Sequence, residues 1–255
     1  MRAASGVALA ACLLGLIGCG SSGGGGGDDD AGPTTGDGAV TRDGTVTGPD
    51  ASTRIVISGL AQTVQNTAAV PLAGATLEAF RKSGGAAVAT ATSAADGTYT
   101  LTVDTGGAPF DGYLKGASSG RLDSYLYFPR PLTADTPNAT LLIMNQQTVG
   151  LLGLAGGFTQ QAGKGLVGLA VVNAAGTPVA GATVTITPAG TAKVSYLAGM
   201  VPSSTATATD ASGGVLIANT ETGDVTVDAT MGATNFQAVT MPARAGAFTS
   251  TLLLP

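Results

Sequence analysis

The chain has 255 residues, 44% of them hydrophobic, and a formal net charge of −5, a length that accommodates one or two ordinary domains. It contains no histidine, which excludes Ser-His-Asp and Cys-His catalysis and removes the commonest ligand of zinc and non-haem iron. The acidic balance, without a basic stripe, excludes nucleic acid as a partner.

The first predicted element is an export signal. After Arg2, the stretch from Val7 to Gly18 is apolar; its length suits a signal-peptide core, since a membrane-spanning helix needs about 20 residues. It ends Leu16-Ile17-Gly18-Cys19, which resembles the lipobox of bacterial lipoproteins. The resemblance implies a signal peptide at 1–18, acylation of Cys19 and a membrane partner reached through the N-terminal lipid. Gly20 stands where enteric lipoproteins retained in the inner membrane carry aspartate, which points to the outer membrane. Whether the following domains face the periplasm or the exterior is not encoded. The other cysteine, Cys12, lies inside the signal, so the processed chain has no disulfide partner for Cys19.

Residues 19–53 are Gly, Ser, Asp, Thr and Pro with little apolar content. They cannot bury a core and are expected to form a disordered tether with an r.m.s. span of roughly 30–35 Å. Six aspartates and the single Arg42 lie between Gly20 and Thr53, whereas from Arg54 onward ten acidic residues face nine basic ones. The negative charge therefore belongs to the tether. Asp28-Asp29-Asp30 reads as a solvated charge run, because calcium loops hold their ligands at defined spacing. The Gly20–Gly27 run lacks the Lys-Ser/Thr pair of a phosphate loop, and no metal or cofactor is expected.

From Arg54 the pattern changes to period two. Tyr99, Leu101 and Val103 alternate with Thr98, Thr100 and Thr102, and Val225, Val227 and Ala229 with Thr226, Asp228 and Thr230. This is the signature of half-buried strands, separated here by Asp96-Gly97 and Ser212-Gly213-Gly214 turns. The pattern also repeats. Pro71-Leu72-Ala73-Gly74-Ala75-Thr76 recurs as Pro178-Val179-Ala180-Gly181-Ala182-Thr183, and Ala89-Thr90-Ala91-Thr92 as Ala206-Thr207-Ala208-Thr209. The first block is offset by 107 positions and the second by 117, so a duplicated domain with about ten inserted residues near 189–204 is predicted. The insertion is read as a hairpin through Val194–Leu197 whose tip, Gly199-Met200-Val201-Pro202, protrudes.

The unit built from these blocks (a turn, Pro-x-Ala-Gly-Ala-Thr, the apolar strands Leu77–Phe80 or Val184–Ile186, an Ala-Thr strand and a Gly turn) resembles the carboxypeptidase regulatory-like domain. That domain is a transthyretin-like β-sandwich close to the Cna B type. The resemblance implies an all-β chain with two tandem Ig-like/transthyretin-like β-sandwiches after the tether, at 54–147 and 164–255. The second copy departs in its turn, where Gly214-Val215-Leu216 replaces Gly-x-Tyr. Residues 148–163 are left as a connector, read as a short helix although its glycines weaken that assignment. The Cna B likeness also raises internal isopeptide bonds. In the first domain Arg54 stands where a lysine would be needed; in the second Lys164 is at the start, but Thr249–Leu254 offers no Asn or Asp, so no such bond is expected.

One stretch concentrates side chains with binding chemistry. Between Phe110 and Phe128, the residues Phe110, Tyr113, Tyr125, Tyr127 and Phe128 interleave with Asp111, Lys115, Arg121, Asp123 and Arg130. Tyr113, Tyr125, Tyr127, Arg121 and Asp123 are the candidate ligand-binding set, with aromatic faces stacking on a glycan or peptide and charges orienting it. The competing reading places the tyrosines in the core of the first sandwich. A carboxylate enzyme using Asp111 and Asp123 is the third reading. The function expected is that of a membrane-anchored, non-enzymatic surface or envelope lipoprotein with a structural or adhesive role. The alternative is a carbohydrate- or peptidoglycan-binding module, so the partners expected beyond the membrane are a glycan or an envelope protein.

Overall fold

The structure, a computed structural model, describes residues 53–65 and 68–255. The signal segment, Cys19 and the tether before Thr53 lie outside the described residues. Among the described residues the fold is all-β apart from one helix.

The first half forms β1 (Arg54–Gln65), β2 (Ala68–Pro71), β3 (Thr76–Arg81), β4 (Ala89–Thr92), β5 (Thr98–Asp104), β6 (Gly112–Ala117), β7 (Ser124–Tyr127) and β8 (Leu141–Leu142). One layer is β2-β1-β5, with β8 parallel to β1; the other is β4-β3-β6-β7. Between them lies an apolar core that includes Ile57, Leu77, Leu101, Phe110, Leu126 and Phe128. β5 shows how the sequence produces this: Tyr99, Leu101 and Val103 are buried while the intervening threonines are exposed, as the two-residue period of a strand requires.

The helix α1 (Gln146–Gly156) follows. Asn145 caps it, its side chain accepting from the Thr148 amide at 2.8 Å. The glycines that counted against a helix have a packing role at two positions, because a Cβ at Gly153 or Gly156 would strike Phe158 as the chain folds back beneath the helix. Val149, Leu152 and Phe158 pack on Leu142, Met144, Leu216 and Phe248, a third apolar cluster between the halves.

The second half forms β9 (Gly165–Val171), β10 (Thr183–Thr187), β11 (Lys193–Ala198), β12 (Val201–Pro202), β13 (Gly214–Thr220), β14 (Gly223–Met231), β15 (Thr234–Asn235), β16 (Val239–Ala243) and β17 (Phe248–Leu253). β10-β14-β15, with β16 on β14, makes one layer, and β12-β11-β13-β9-β17 the other. The predicted hairpin is β11–β12, paired Leu197 to Pro202 and Ala198 to Val201. Its tip does not protrude as expected. Met200 and Pro202 are buried, and with Leu152 of α1 they line one apolar crevice, because the hairpin is short enough to lie against the helix.

The two sandwiches are not independent beads. All six residues of β17 are buried, and the strand pairs in parallel with β9 on one side and with β7 of the first sandwich on the other. This joins one layer from each half into a continuous nine-stranded sheet.

Hydrogen bonds align the halves more finely than the sequence blocks do. The Ser93 hydroxyl accepts from the Ala75 amide and donates to the Leu72 carbonyl; the Thr209 hydroxyl accepts from Ala182 and donates to Val179. Ser93, not Thr92, is therefore the counterpart of Thr209, and the offset there is 116 rather than 117. The two Ala-Thr tetrapeptides are out of structural register by one residue. Only the first is a strand, and the expected strand at 206–209 is irregular.

Candidate binding cleft at the sandwich junction

β6 and β7 are antiparallel, with Tyr113 opposite Tyr127, Leu114 opposite Leu126 and Lys115 opposite Tyr125. Alternation then divides the aromatic stretch. Leu114 and Leu126 face the first core with Phe110 and Phe128. Tyr113, Lys115, Tyr125 and Tyr127 take the opposite face, where the tyrosines pack against the core of the second sandwich. The expected single aromatic strip is thus split between two faces of one sheet. The tyrosines fill space, but at the junction rather than inside the first sandwich.

The tyrosines form a closed column. The Tyr113 ring stacks on Phe80 of β3 at 5.4 Å and on Tyr127 at 4.8 Å, with Tyr125 tilted 6.1 Å away. Arg244, from the connection between β16 and β17, covers it. Its guanidinium lies 4.0 Å from the Tyr125 ring centroid, donates to the Tyr127 hydroxyl at 2.8 Å and donates to the Pro242 carbonyl at 3.2 Å. Burial raises the pKa of the Tyr127 hydroxyl, and the hydrogen bond from Arg244 counters part of that rise. Burial likewise raises the pKa of Tyr125. Neutral phenols are what this packing needs.

The remaining candidates disperse. Arg121, in the loop from β6 to β7, donates to the Thr63 hydroxyl at 2.6 Å, on the side facing β1. Asp123 is paired with Lys115 at 3.0 Å, and its hydrogen bond raises the lysine pKa. Asp111 is paired with Lys82 at 3.1 Å. Asp111 precedes β6 and Asp123 lies opposite its far end, so at about 3.3 Å per residue they are roughly 20 Å apart along the strand. Each carboxylate has its own cation, and the pair expected for the enzyme reading does not assemble.

Beside the column, between the end of β3 and the edge of β16, lies a cleft of about 300 Å³. The first sandwich contributes Arg81, Lys82, Tyr113 and Tyr127; the second contributes Asp224, Thr240, Pro242 and Arg244. Arg81 donates to the Asp104 carbonyl at 3.1 Å and lies over the Phe110 ring. Neither Arg81, Asp224 nor Arg244 was among the sequence candidates. One signal was available: Arg244 is the sole charged residue after Asp228, and an isolated cation in an apolar stretch invites a search for its partner. Phe80, Arg81 and Lys82 become part of the site only when β3 pairs with β6.

Elsewhere, Lys164 is paired with Glu221 at 2.6 Å, which lowers the glutamate pKa. Among the described residues, no cluster of three or more His, Cys, Asp or Glu could hold a metal, and no helix is long and apolar enough to cross a membrane.

No protein-family model and no curated protein matches the chain. Among solved structures, it is similar to the shaft pilin SpaA of Lactobacillus rhamnosus GG, at 12% identity over 80% of this chain and 97% of that chain, with a TM-score of 0.24. A minor pilin of Streptococcus agalactiae gives 13% identity, 78% and 95% coverage and a TM-score of 0.24. The TIE protein of Bacillus anthracis gives 10% identity, 79% and 34% coverage and a TM-score of 0.25. At these scores nothing transfers from those proteins to this one; the sandwich architecture stands on the strand pairing described above.

Proposed function

We propose that this chain is a lipid-anchored, non-enzymatic component of the bacterial cell envelope with a structural or adhesive role. The observation that carries this reading is the sealing of β17 between both sandwiches, which makes them a single stiff body rather than two domains that open around a catalytic cleft. A stiff body on a tether suits a protein that spans or displays. The Leu16-Ile17-Gly18-Cys19 sequence supplies the anchor on this reading, and Gly20 favours the outer membrane. Two or more acyl chains, each contributing about 0.8 kcal/mol per buried methylene, make such attachment stable. The partners are then the membrane, through the lipid, and an envelope glycan or protein. The resemblance to carboxypeptidase regulatory-like domains agrees with this role without specifying it, since sandwich folds host many functions.

The anchor is tested by Cys19→Ser. The variant is expected to leave the membrane fraction and appear soluble after cell fractionation; continued sedimentation with membranes would refute lipid attachment.

A further inference from the structure

We infer that the outward face of α1 rests on the surface of a phospholipid bilayer, the one that holds the acylated Cys19, and so orients the joined sandwiches on the membrane. This rests on the anchored reading above and adds to the lipid a second, orienting contact.

The first argument is what the helix presents to solvent. Thr148, Val149, Gly153 and Gly156 are buried against the protein. At about 3.6 residues per turn, Gln147, Gly150, Leu151 and Leu154 take the opposite side. Leu151 is 61% exposed and Leu154 82%, and with Val88 they are the only large hydrophobic side chains exposed among the described residues. A helix facing water turns polar and charged residues outward, whereas one apolar on both sides is covered on both. α1 carries no charged residue. The groove of about 500 Å³ beside it, bordered by Leu151, Leu154 and Phe158, has no charged residue in its lining either.

The second argument is charge. From Thr136 to Thr209 the chain contains no Asp or Glu, and this stretch includes α1 and the strands β11 and β12 beneath it. Its two cations are Lys164, paired with Glu221, and Lys193, which donates to the Gly157 carbonyl at the C-terminal end of the helix at 3.1 Å. Lys193 has no carboxylate partner among the described residues. Nothing in this stretch repels lipid phosphates, and one exposed ammonium group attracts them.

The third argument is area and reach. A helix of 11 residues is about 16 Å long, so two copies meeting through it would bury far less than the roughly 800 Å² per partner of a stable interface. A bilayer requires no complementary partner, and acylation makes the contact intramolecular, so a small patch is enough. The distances also agree. β1 ends beside α1, where Val64 and Leu152 line one crevice. Arg54 lies ten residues back along that strand, at most about 33 Å away. The expected span of the segment before it, roughly 30–35 Å, lets Cys19 and α1 reach the same plane.

The test uses the acylated chain, purified from membranes and reconstituted in vesicles of phosphatidylethanolamine and phosphatidylglycerol. An environment-sensitive fluorophore is placed at Gln147→Cys or, as control, at Val88→Cys. The emission at 147 should shift to the blue, be quenched by spin-labelled lipid and be shielded from aqueous iodide, and the emission at 88 should do none of these. Adding Leu151→Gln and Leu154→Gln, exposed positions whose change should leave the melting temperature unaltered, should abolish the shift at 147. Identical behaviour at 147 and 88, or a shift that survives the two leucine substitutions, would overturn the proposal. Intact mass separates this failure from that of the anchor: an unacylated Cys19 overturns both, whereas an acylated chain with position 147 in water overturns only the orienting contact. The released Cys19→Ser chain should sediment as a monomer. A dimer that Leu154→Gln dissociates would assign the face to a second copy and overturn the bilayer contact.

Discussion

In the first sandwich β4 lies along the outer edge of β3, with Leu77 opposite Ala91 and Ala79 opposite Ala89. In the second, the corresponding edge of β10 has no strand beside it among the described residues, because the stretch equivalent to β4 is irregular, while the inserted residues 193–198 pair with β13 in the other layer as β11. The Val184 amide, which would meet a strand carbonyl, donates instead to the Tyr196 hydroxyl at 3.0 Å. An unpaired edge is an open template for other strands, and one phenol occupies part of it. What the halves share is smaller than a strand. Ser93 and Thr209 tie the same turn, and Gly97 and Gly213 both have positive φ, with their amides and carbonyls against equivalent partners. Local hydrogen-bond anchors thus survive duplication while the edge strand is lost and an inserted strand joins the other layer. The extra residues make the change feasible, since lengthening a surface connection adds little closure entropy.

The largest test of this comparison removes residues 248–255. β17 supplies one edge of β9 and one edge of β7, and buries Phe248, Leu252 and Leu253. The second sandwich is expected to lose its cooperative calorimetric transition, leaving one transition from the first at lower temperature. A melting profile unchanged from the full chain would show that β17 does not couple the halves.

A finer test is the matched pair Gly97→Ala and Gly213→Ala. At each position an added Cβ would strike a backbone carbonyl, of Ala61 or of Val171, and the neighbouring Pro71 or Pro178. Adoption of positive φ alone costs a non-glycine residue about 1–2 kcal/mol. Each variant should therefore lose at least about 2 kcal/mol in urea denaturation. Similar losses support the structural equivalence of the turns, and tolerance at Gly213 alone would break it.

The smallest expected effect is that of Tyr196→Phe, which removes the partner of a buried amide and should cost about 1–2 kcal/mol. Its signature is local: hydrogen exchange at Val184 should accelerate while exchange on β3 stays unchanged. If Val184 remained as protected as before, the phenol would not be what occupies the β10 edge.

Much of the fold was legible in the residues. Alternation over 98–103 and 225–230 identified β5 and β14 with the correct buried faces, because a strand's two-residue period is a local property. The Pro-x-Ala-Gly-Ala-Thr blocks marked the turns entering β3 and β10 for the same reason. The register of the repeat was misjudged by one residue, since matching Ala-Thr letters could not reveal that a side-chain hydroxyl, at Ser93 and Thr209, sets the alignment. For the aromatic stretch, the two-residue spacing of Tyr125 and Tyr127 placed them on one face. The sequence could not say which neighbour that face would meet.

Composition and local pattern, by themselves, determined that this chain is rich in half-buried strands and lacks histidine chemistry, that its two halves repeat, and that an acidic segment follows the Leu16-Ile17-Gly18-Cys19 sequence. These features follow from residue type, period and turn geometry within a few positions. Only the tertiary structure decided that β17 would pair with β7, that Arg244 would cover tyrosines 117 positions earlier, and that residues of β3 and β14 would line one cleft. Those contacts join segments more than a hundred residues apart, and their energy comes from desolvated area and unpaired strand edges. Neither exists until both sandwiches have formed.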